Sequence, residues 1–251
     1  MPSSTVDIAT PDGAADAYLA RPDDGPHPGV LFLIDAIGLR PRIEEMADHI
    51  AERGYTVLAP NVFYRAGRAP VLPLPDFSDP DNRDQFMKSL RPLMQELTPE
   101  RIVSDGGAYL DYLAGVAAEP FAITGYCMGV RLGWRIAAAY PDRIVALGGF
   151  HGGGLVSDAP DSPHLSADQL RAELYLGHAD EDANMTPEQI ATLDQALEEA
   201  GVRHRSELYA GARHGYTMSD TAVYDEAATE RHFNELFALL DRALTAPTTG
   251  R

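Results

Sequence analysis

The stretch Pro120-Phe121-Ala122-Ile123-Thr124-Gly125-Tyr126-Cys127-Met128-Gly129 decides how the rest of the chain is read. An apolar run ends at Gly125, and a helical pattern begins at Val130 and reaches Tyr140. Strand, sharp turn and helix in that order, with a cysteine at the apex, read as a nucleophile elbow carrying Cys where Ser is more usual. The flanking glycines have a mechanical reason. The apex residue is held in a strained conformation, and its neighbours two positions away must be small for strand and helix to approach. The helix that follows aims its N-terminal N–H groups at the sulfur, which favours the thiolate. A buried cysteine in a glycine-rich turn is the plainer alternative. Against it, Cys127 is the one cysteine in the chain, and it sits in the context that the elbow demands.

Outward from the elbow, the pattern alternates strand and helix. Gly29 to Ile34 is a continuous apolar run, as in a strand buried on both faces. Arg42 to Arg53 has helical spacing and stops at Gly54, and Tyr55 to Ala59 is the next strand. Such alternation predicts a mostly parallel sheet. Ahead of it, Val6 to Ala9 and Ala15 to Ala20 flank Pro11-Asp12-Gly13, a hairpin signal. Prolines at 70, 73, 75 and 80 mark a long loop, and Asp81 to Glu96 is helical in pattern with Pro92 expected to kink or divide it. Residues 61–97 thus form a loop-and-helix excursion, a candidate lid, within a single domain spanning 1–251. Thr98-Pro99-Glu100 opens another helix, running to about Val116. Downstream, strands are expected at Arg143 to Phe150, Glu173 to Leu176 and Arg203 to Tyr209, with helices from Thr186 to Gly201 and from about Ala222 to Leu244.

A thiol elbow needs a base, and the base needs a group to orient it. Hydrolases built on such an elbow place nucleophile, acid and histidine in that order along the chain. Asp180 and His214 both follow predicted strands, so both belong at the carboxyl ends of parallel strands, on the elbow's side of the sheet. Asp180 is the preferred acid because it stands three residues after Gly177; Asp182, in the same acidic turn, is its rival. His151, His178 and His204 compete with His214, but each precedes the acid or lies inside a strand. The oxyanion hole is expected from the backbone N–H groups of Met128 and Ala36. Asp35 is an unusual acid at the end of an all-apolar strand. The substrate pocket is expected to involve Ile37, Arg42, Tyr126, His151 and Met218.

These residues resemble the dienelactone hydrolases, a cysteine branch of the α/β-hydrolase fold. The likeness rests on Gly125 to Gly129, on Gly177-His178-Ala179-Asp180, on Gly211-Ala212-Arg213-His214-Gly215, and on Arg53-Gly54-Tyr55 through Ala59-Pro60-Asn61-Val62-Phe63-Tyr64. It covers roughly Asp7 to Leu244. The resemblance implies an α/β fold with a mostly parallel central sheet, helices on both faces and an N-terminal antiparallel hairpin. It implies a carboxymethylenebutenolidase-type reaction on lactones or activated esters through a thioester, with Cys127, Asp180 and His214 as triad. The family also has a first-strand glutamate that holds the resting thiol; Asp35 matches that position but is one methylene shorter. The family prototype's carboxylate-binding arginine, four residues past the histidine, is replaced by Met218. Arg40, Arg42, Arg65, Arg68 and Arg83 are the arginines placed to take over that role.

Composition bounds the alternatives. A net charge of −18 argues against nucleic acid and anionic membrane surfaces as partners. One cysteine excludes an internal disulfide and multi-cysteine metal sites, and the histidines lack H-x-x-x-H or H-E-x-x-H spacing, so no metal and no cofactor is expected. No apolar leader follows Met1, and no apolar run is long enough to span a bilayer, so a cytoplasmic monomer or weak homo-oligomer acting on a small molecule is expected. The competing reading is a non-catalytic binding or thiol redox-sensing protein on the same fold.

Overall fold

The computed structural model describes residues 2–23, 25–76 and 80–244; the side chains of Pro80, Arg83 and Asp84 lie outside the described residues, as do 77–79 of the proline-rich excursion. One eight-stranded sheet runs through it. Its strands are β1 (Ser3–Thr10), β2 (Gly13–Ala20), β3 (Pro28–Leu33), β4 (Thr56–Pro60), β5 (Ala118–Tyr126), β6 (Ile144–Phe150), β7 (Glu173–Ala179) and β8 (His204–Tyr209), in the order β1-β2-β4-β3-β5-β6-β7-β8. The hairpin β1–β2 turns at Gly13 and joins antiparallel to β4; every pairing from β4 to β8 is parallel. Parallel strands need crossover connections, and helices supply most of them. They are α1 (Pro41–Ala51), α2 (Pro80–Gln95), α3 (Pro99–Ala114), α4 (Met128–Ala139), α5 (Pro187–Glu199) and α6 (Glu226–Leu244).

Two adjacent glycines of β6 show how the layers lie. A Cβ on Gly148 would meet Leu236 of α6, and one on Gly149 would meet Val130 of α4. Successive strand residues face opposite sides, so α6 and α4 cover opposite faces. α1 joins α6, with His49 edge-on to Phe233 at 4.4 Å between ring centroids. α3 joins α4, where Gly106 leaves room for Ile136. Residues 30–33 of β3 and 121–126 of β5 are buried throughout, which explains their unbroken apolar runs.

The parallel ladder puts the carboxyl ends of β3, β5, β6, β7 and β8 along one edge. Differences from the sequence reading cluster at those ends. β7 continues through Gly177 and His178 to Ala179, three residues past the expected stop. α2 runs through Pro92 without being divided, and α6 begins at Glu226 rather than near Ala222. A short 3-10 segment, Pro163–Gln169, fills part of the connection between β6 and β7.

Candidate active site

β5 hands the chain to α4 through Cys127, whose φ of 52° and ψ of −116° are sparsely populated for a residue with a side chain. The surrounding structure over-determines that conformation. A Cβ on Gly129 would sit 2.1 Å from the carbonyl oxygen of Leu33, and one on Gly125 would sit 2.7 Å from that of Gly129. The elbow is therefore pressed against β3 on one side and against its own helix on the other, with no space for larger residues.

The base is His214. Its Nε2 lies 3.0 Å from Cys127 Sγ, and its Nδ1 lies 2.5 Å from Oδ2 of Asp182. The expected acid, Asp180, is not in that chain of contacts. Because β7 runs on to Ala179, Asp180 sits at the strand's very end. Its carboxylate accepts from the backbone N–H of Glu181 and from that of Gly211, so it ties the β7 turn to the β8 turn. Glu181 then takes a positive φ of 52°, which reverses the chain and carries Asp182 inward. The Asp182 side chain is 1% exposed, and its Oδ1 accepts from the backbone and side chain of Asn184. The rival acid, Asp182, thus stands on Nδ1 of His214, because β7 ends at Ala179, two residues beyond Gly177.

Charge follows from this geometry. Burial alone would lower the His214 pKa, but the hydrogen bond its ring donates to Asp182 and its contact with Cys127 outweigh it and raise it to about 10. Burial would raise the Asp182 carboxyl, but its hydrogen bond to His214 and the two from Asn184 hold it below the usual range. The resting pair is an imidazolium beside a carboxylate, with the sulfur on the other ring nitrogen.

A cavity of about 370 Å³ opens over the sulfur. Ala36, Ile37, Cys127, Met128, His151, His214 and Met218 line it. Among the described residues the backbone N–H groups of Met128 and Ala36 donate to no protein acceptor, and both residues border the sulfur's cavity. Two expected pocket residues are elsewhere. Tyr126 is fully buried beneath the elbow, stacked on Phe32 at 4.7 Å, with its hydroxyl 2.8 Å from Nε2 of His232. As the residue before the apex on a strand, it points away from the side that Cys127 faces. Arg42 donates to the carbonyl oxygen of Thr217 at 2.7 Å and braces the histidine loop from behind.

Asp35 borders the cavity, but its carboxylate is committed. Arg40 donates to Oδ1 at 2.7 Å and to Oδ2 at 3.0 Å, and the backbone N–H of Ile37 donates at 3.1 Å. Arg40 also reaches Asp220 at 2.5 Å. This buried cluster ties the Ala36 loop to the segment after His214. Among the described residues no hydrogen bond joins Asp35 to Cys127, so the expected hold on the resting thiol is replaced by His214. His151 keeps a neutral ring: burial and the neighbouring His214 and His232 push its pKa well below the ordinary value. Its Nε2 lies 2.8 Å from the Thr217 hydroxyl.

The sequence reading did not single out Met87, Met94, Arg131 or Asn184 as cavity residues. Met87 and Met94 come from α2, so the excursion does border the site. Arg131 is one helical turn after Cys127, a spacing that itself signals a shared face. Among the described residues no group of three or more His, Cys, Asp or Glu side chains is arranged to hold a metal ion. No described helix is long and apolar enough to cross a membrane.

Comparison with known proteins places the chain in a family. A protein of Salmonella typhi provisionally named a carboxymethylenebutenolidase is 27% identical over 255 residues, covering 91% of this chain and 88% of its own. A carboxymethylenebutenolidase of Rhodococcus opacus is 28% identical over 225 residues, covering 89% of this chain and 84% of its own. The crystal structure of a Klebsiella pneumoniae protein, provisionally named a dienelactone hydrolase, superposes with a TM-score of 0.81 at 22% identity, covering 96% of this chain and 98% of that one. That likeness concerns the fold. The model of the dienelactone hydrolase family matches residues 15–244, and the chain belongs to that family of α/β-hydrolases.

Proposed function

We propose that this hydrolase cleaves lactones or activated esters through a thioester on Cys127, with His214 as acid and base and Asp182 as the acid that orients it. The observation that carries the reading is the continuous contact from Sγ of Cys127, in the cavity wall, through both ring nitrogens of His214 to the buried Asp182. The thiolate attacks the carbonyl carbon, and the developing oxyanion is met by the N–H groups of Met128 and Ala36. The C–O bond breaks as the His214 imidazolium gives its proton to the leaving alkoxide. Neutral His214 then takes a proton from water, which attacks the thioester and releases the acid and the thiolate. The raised His214 keeps its ring protonated at neutral pH, so the proton for the leaving group stands beside the sulfur before substrate arrives. Asp35 acts by position: with Arg40 it holds the Ala36 loop.

A thiol sensor would need an accessible sulfur but no imidazole oriented by a buried carboxylate. The test is turnover of 4-nitrophenyl acetate and of a simple lactone by the purified protein, before and after iodoacetamide. Loss of turnover in step with alkylation of Cys127 is expected. Turnover that survives complete alkylation would refute the thioester route.

A further inference from the structure

β8 ends the sheet on one side, and its outer edge is open. The backbone N–H of Leu174 donates to the carbonyl oxygen of Arg203, which fixes how β8 faces β7. Backbone groups alternate sides along a strand. Arg203, Arg205, Glu207 and Tyr209 therefore bond to β7, while His204, Ser206 and Leu208 turn their N–H and C=O groups outwards. Among the described residues these outward groups meet one protein partner, a long 3.4 Å contact from Arg231 to the carbonyl oxygen of Leu208. The Leu208 side chain beside them is 50% exposed. An open strand edge of this kind is a template for another strand.

Charge says which strand fits. Arg205 and Glu207 flank Ser206 and point to the same face of the sheet. A strand that meets its own copy antiparallel about a two-fold axis must keep outward residues opposite outward residues, so the axis can pass at residue 205, 206 or 207. At 205, arginine faces arginine. At 207, glutamate faces glutamate. At 206, Arg205 of each copy faces Glu207 of the other, and this happens twice. Like charges directly opposite are unfavourable and opposite charges favourable, so charge selects the axis at Ser206. In that register Ser206 exchanges both backbone hydrogen bonds with its copy, His204 exchanges with Leu208, and the exposed Leu208 side chain lies beside a His204 ring. The other edge strand, β1, carries one charged side chain, Asp7, so no register of two β1 strands sets opposite charges face to face.

We propose that two copies of this chain pair through β8, antiparallel about a two-fold axis at Ser206, so that their eight-stranded sheets join into one. Within its own chain Arg205 already reaches Glu207 and Glu235; in the dimer it also meets the second copy's glutamate at position 207. The net charge of −18 on each copy opposes association at long range. At physiological salt that repulsion is screened beyond about 8 Å, whereas charges in contact across the strands are screened far less. β8 runs directly into the loop of His214, so the pairing braces the strand behind the base. No residue of β8 lines the reaction cavity, so losing the dimer does not dismantle it.

The test is sedimentation equilibrium of the purified full chain at about 0.15 M salt. A small strand-edge interface associates with a Kd of about 1–100 μM, so the mass should rise from one chain towards two across that range. Arg205→Glu sets acid against acid at both crossings and should weaken the dimer about ten- to hundredfold. Glu207→Arg sets arginine against arginine and should do the same. Mixing the two variants restores an opposite-charge pair at each crossing, so a heterodimer should form where neither variant pairs with itself. Ser206→Pro removes the N–H donors at the axis, leaves the bonds to β7 in place, and should also give a monomer. Circular dichroism and the thermal midpoint read the fold of each variant separately. If Glu207→Arg does not fold, having lost its contacts with Tyr175 and Arg231, then Arg205→Glu and Ser206→Pro decide the matter. A wild-type chain that stays monomeric throughout that range would overturn the proposal. So would a dimer that survives both Arg205→Glu and Ser206→Pro, or folded charge variants that stay monomeric when mixed.

Discussion

Two acids two residues apart have different jobs, and that difference is measurable. Asp182 is buried on Nδ1 of His214, whereas Asp180 ties two turns together through the N–H groups of Glu181 and Gly211. An orienting carboxylate fixes the tautomer of its imidazole, and exchanging it for an amide costs about 10⁴ in rate in the serine-protease case. Asp182→Asn should therefore lower kcat on a chromogenic ester by about 10³- to 10⁴-fold with little change in the thermal midpoint. Asp180→Asn should leave kcat within about tenfold, because it leaves the His214–Asp182 contact in place; its amide oxygen can replace only one of the two oxygens that accept from Glu181 and Gly211, so its cost falls on the turn. The reverse order of effects would show that the turn rearranges in solution. At this scale the sequence was partly readable. Motif and position after a strand were enough to bring Cys127 and His214 together and to put Met128 and Ala36 at the same cavity. The choice between Asp180 and Asp182 turned on where β7 stops, and a propensity pattern blurs that boundary by a few residues. Glu181's positive φ, which turns Asp182 inward, leaves no mark in residue type.

The elbow itself is the element on which the site depends. β5, Cys127 and α4 fit only because glycines stand at 125 and 129, and the obstacle at Gly129 is the main chain of β3 rather than a yielding side chain. Gly129→Ala should cost about 3 kcal/mol or more, since overpacking against backbone has no cheap relaxation. Urea unfolding measures this, and a loss under about 1 kcal/mol would mean that strand and helix can separate freely. The alternation of strands and helices was legible because each parallel strand carries an unbroken apolar run between glycine or proline breaks. The cavity's outer wall was not. α2 brings Met87 and Met94 over the sulfur, yet its pattern shows only an amphipathic helix broken by Pro92, and nothing local says where that helix docks. Tyr126 and Arg42 were misplaced for a related reason: closeness in sequence to the elbow or the first loop does not say which face a side chain takes.

For the molecule as a whole, buried histidines set the response to acid. Burial pushes His178 down to about 4 and His232 down to about 3, and holds His151 well below its ordinary value. These rings stay neutral in the fold but take protons in the unfolded chain below about pH 6.5, so unfolding binds protons and stability falls as pH drops. Each ring contributes up to about 1.4 kcal/mol per pH unit in that window. His214 acts in the opposite sense. Its raised value of about 10 gives stability that is fully present below about pH 6.5 and is lost as pH rises through 10. Urea unfolding between pH 6.5 and 5 should show a steep loss, with about two to three protons taken up per molecule. Stability that stays flat over that range would mean that the three rings are already charged or hydrated in the fold. The Asp182 carboxyl, held below the usual range, stays charged throughout this window and does not confuse the result.

The central claim is that the reaction passes through a thioester on Cys127. The most direct measurement is mass spectrometry of protein quenched in acid during turnover of 4-nitrophenyl acetate, followed by peptide mapping. One acetyl group is predicted on the peptide that carries Cys127. It should build up in His214→Ala treated with the same ester, because the step that activates water is then lost while an activated ester still acylates the sulfur. Turnover with no adduct at Cys127, or turnover that persists in Cys127→Ala, would contradict the account.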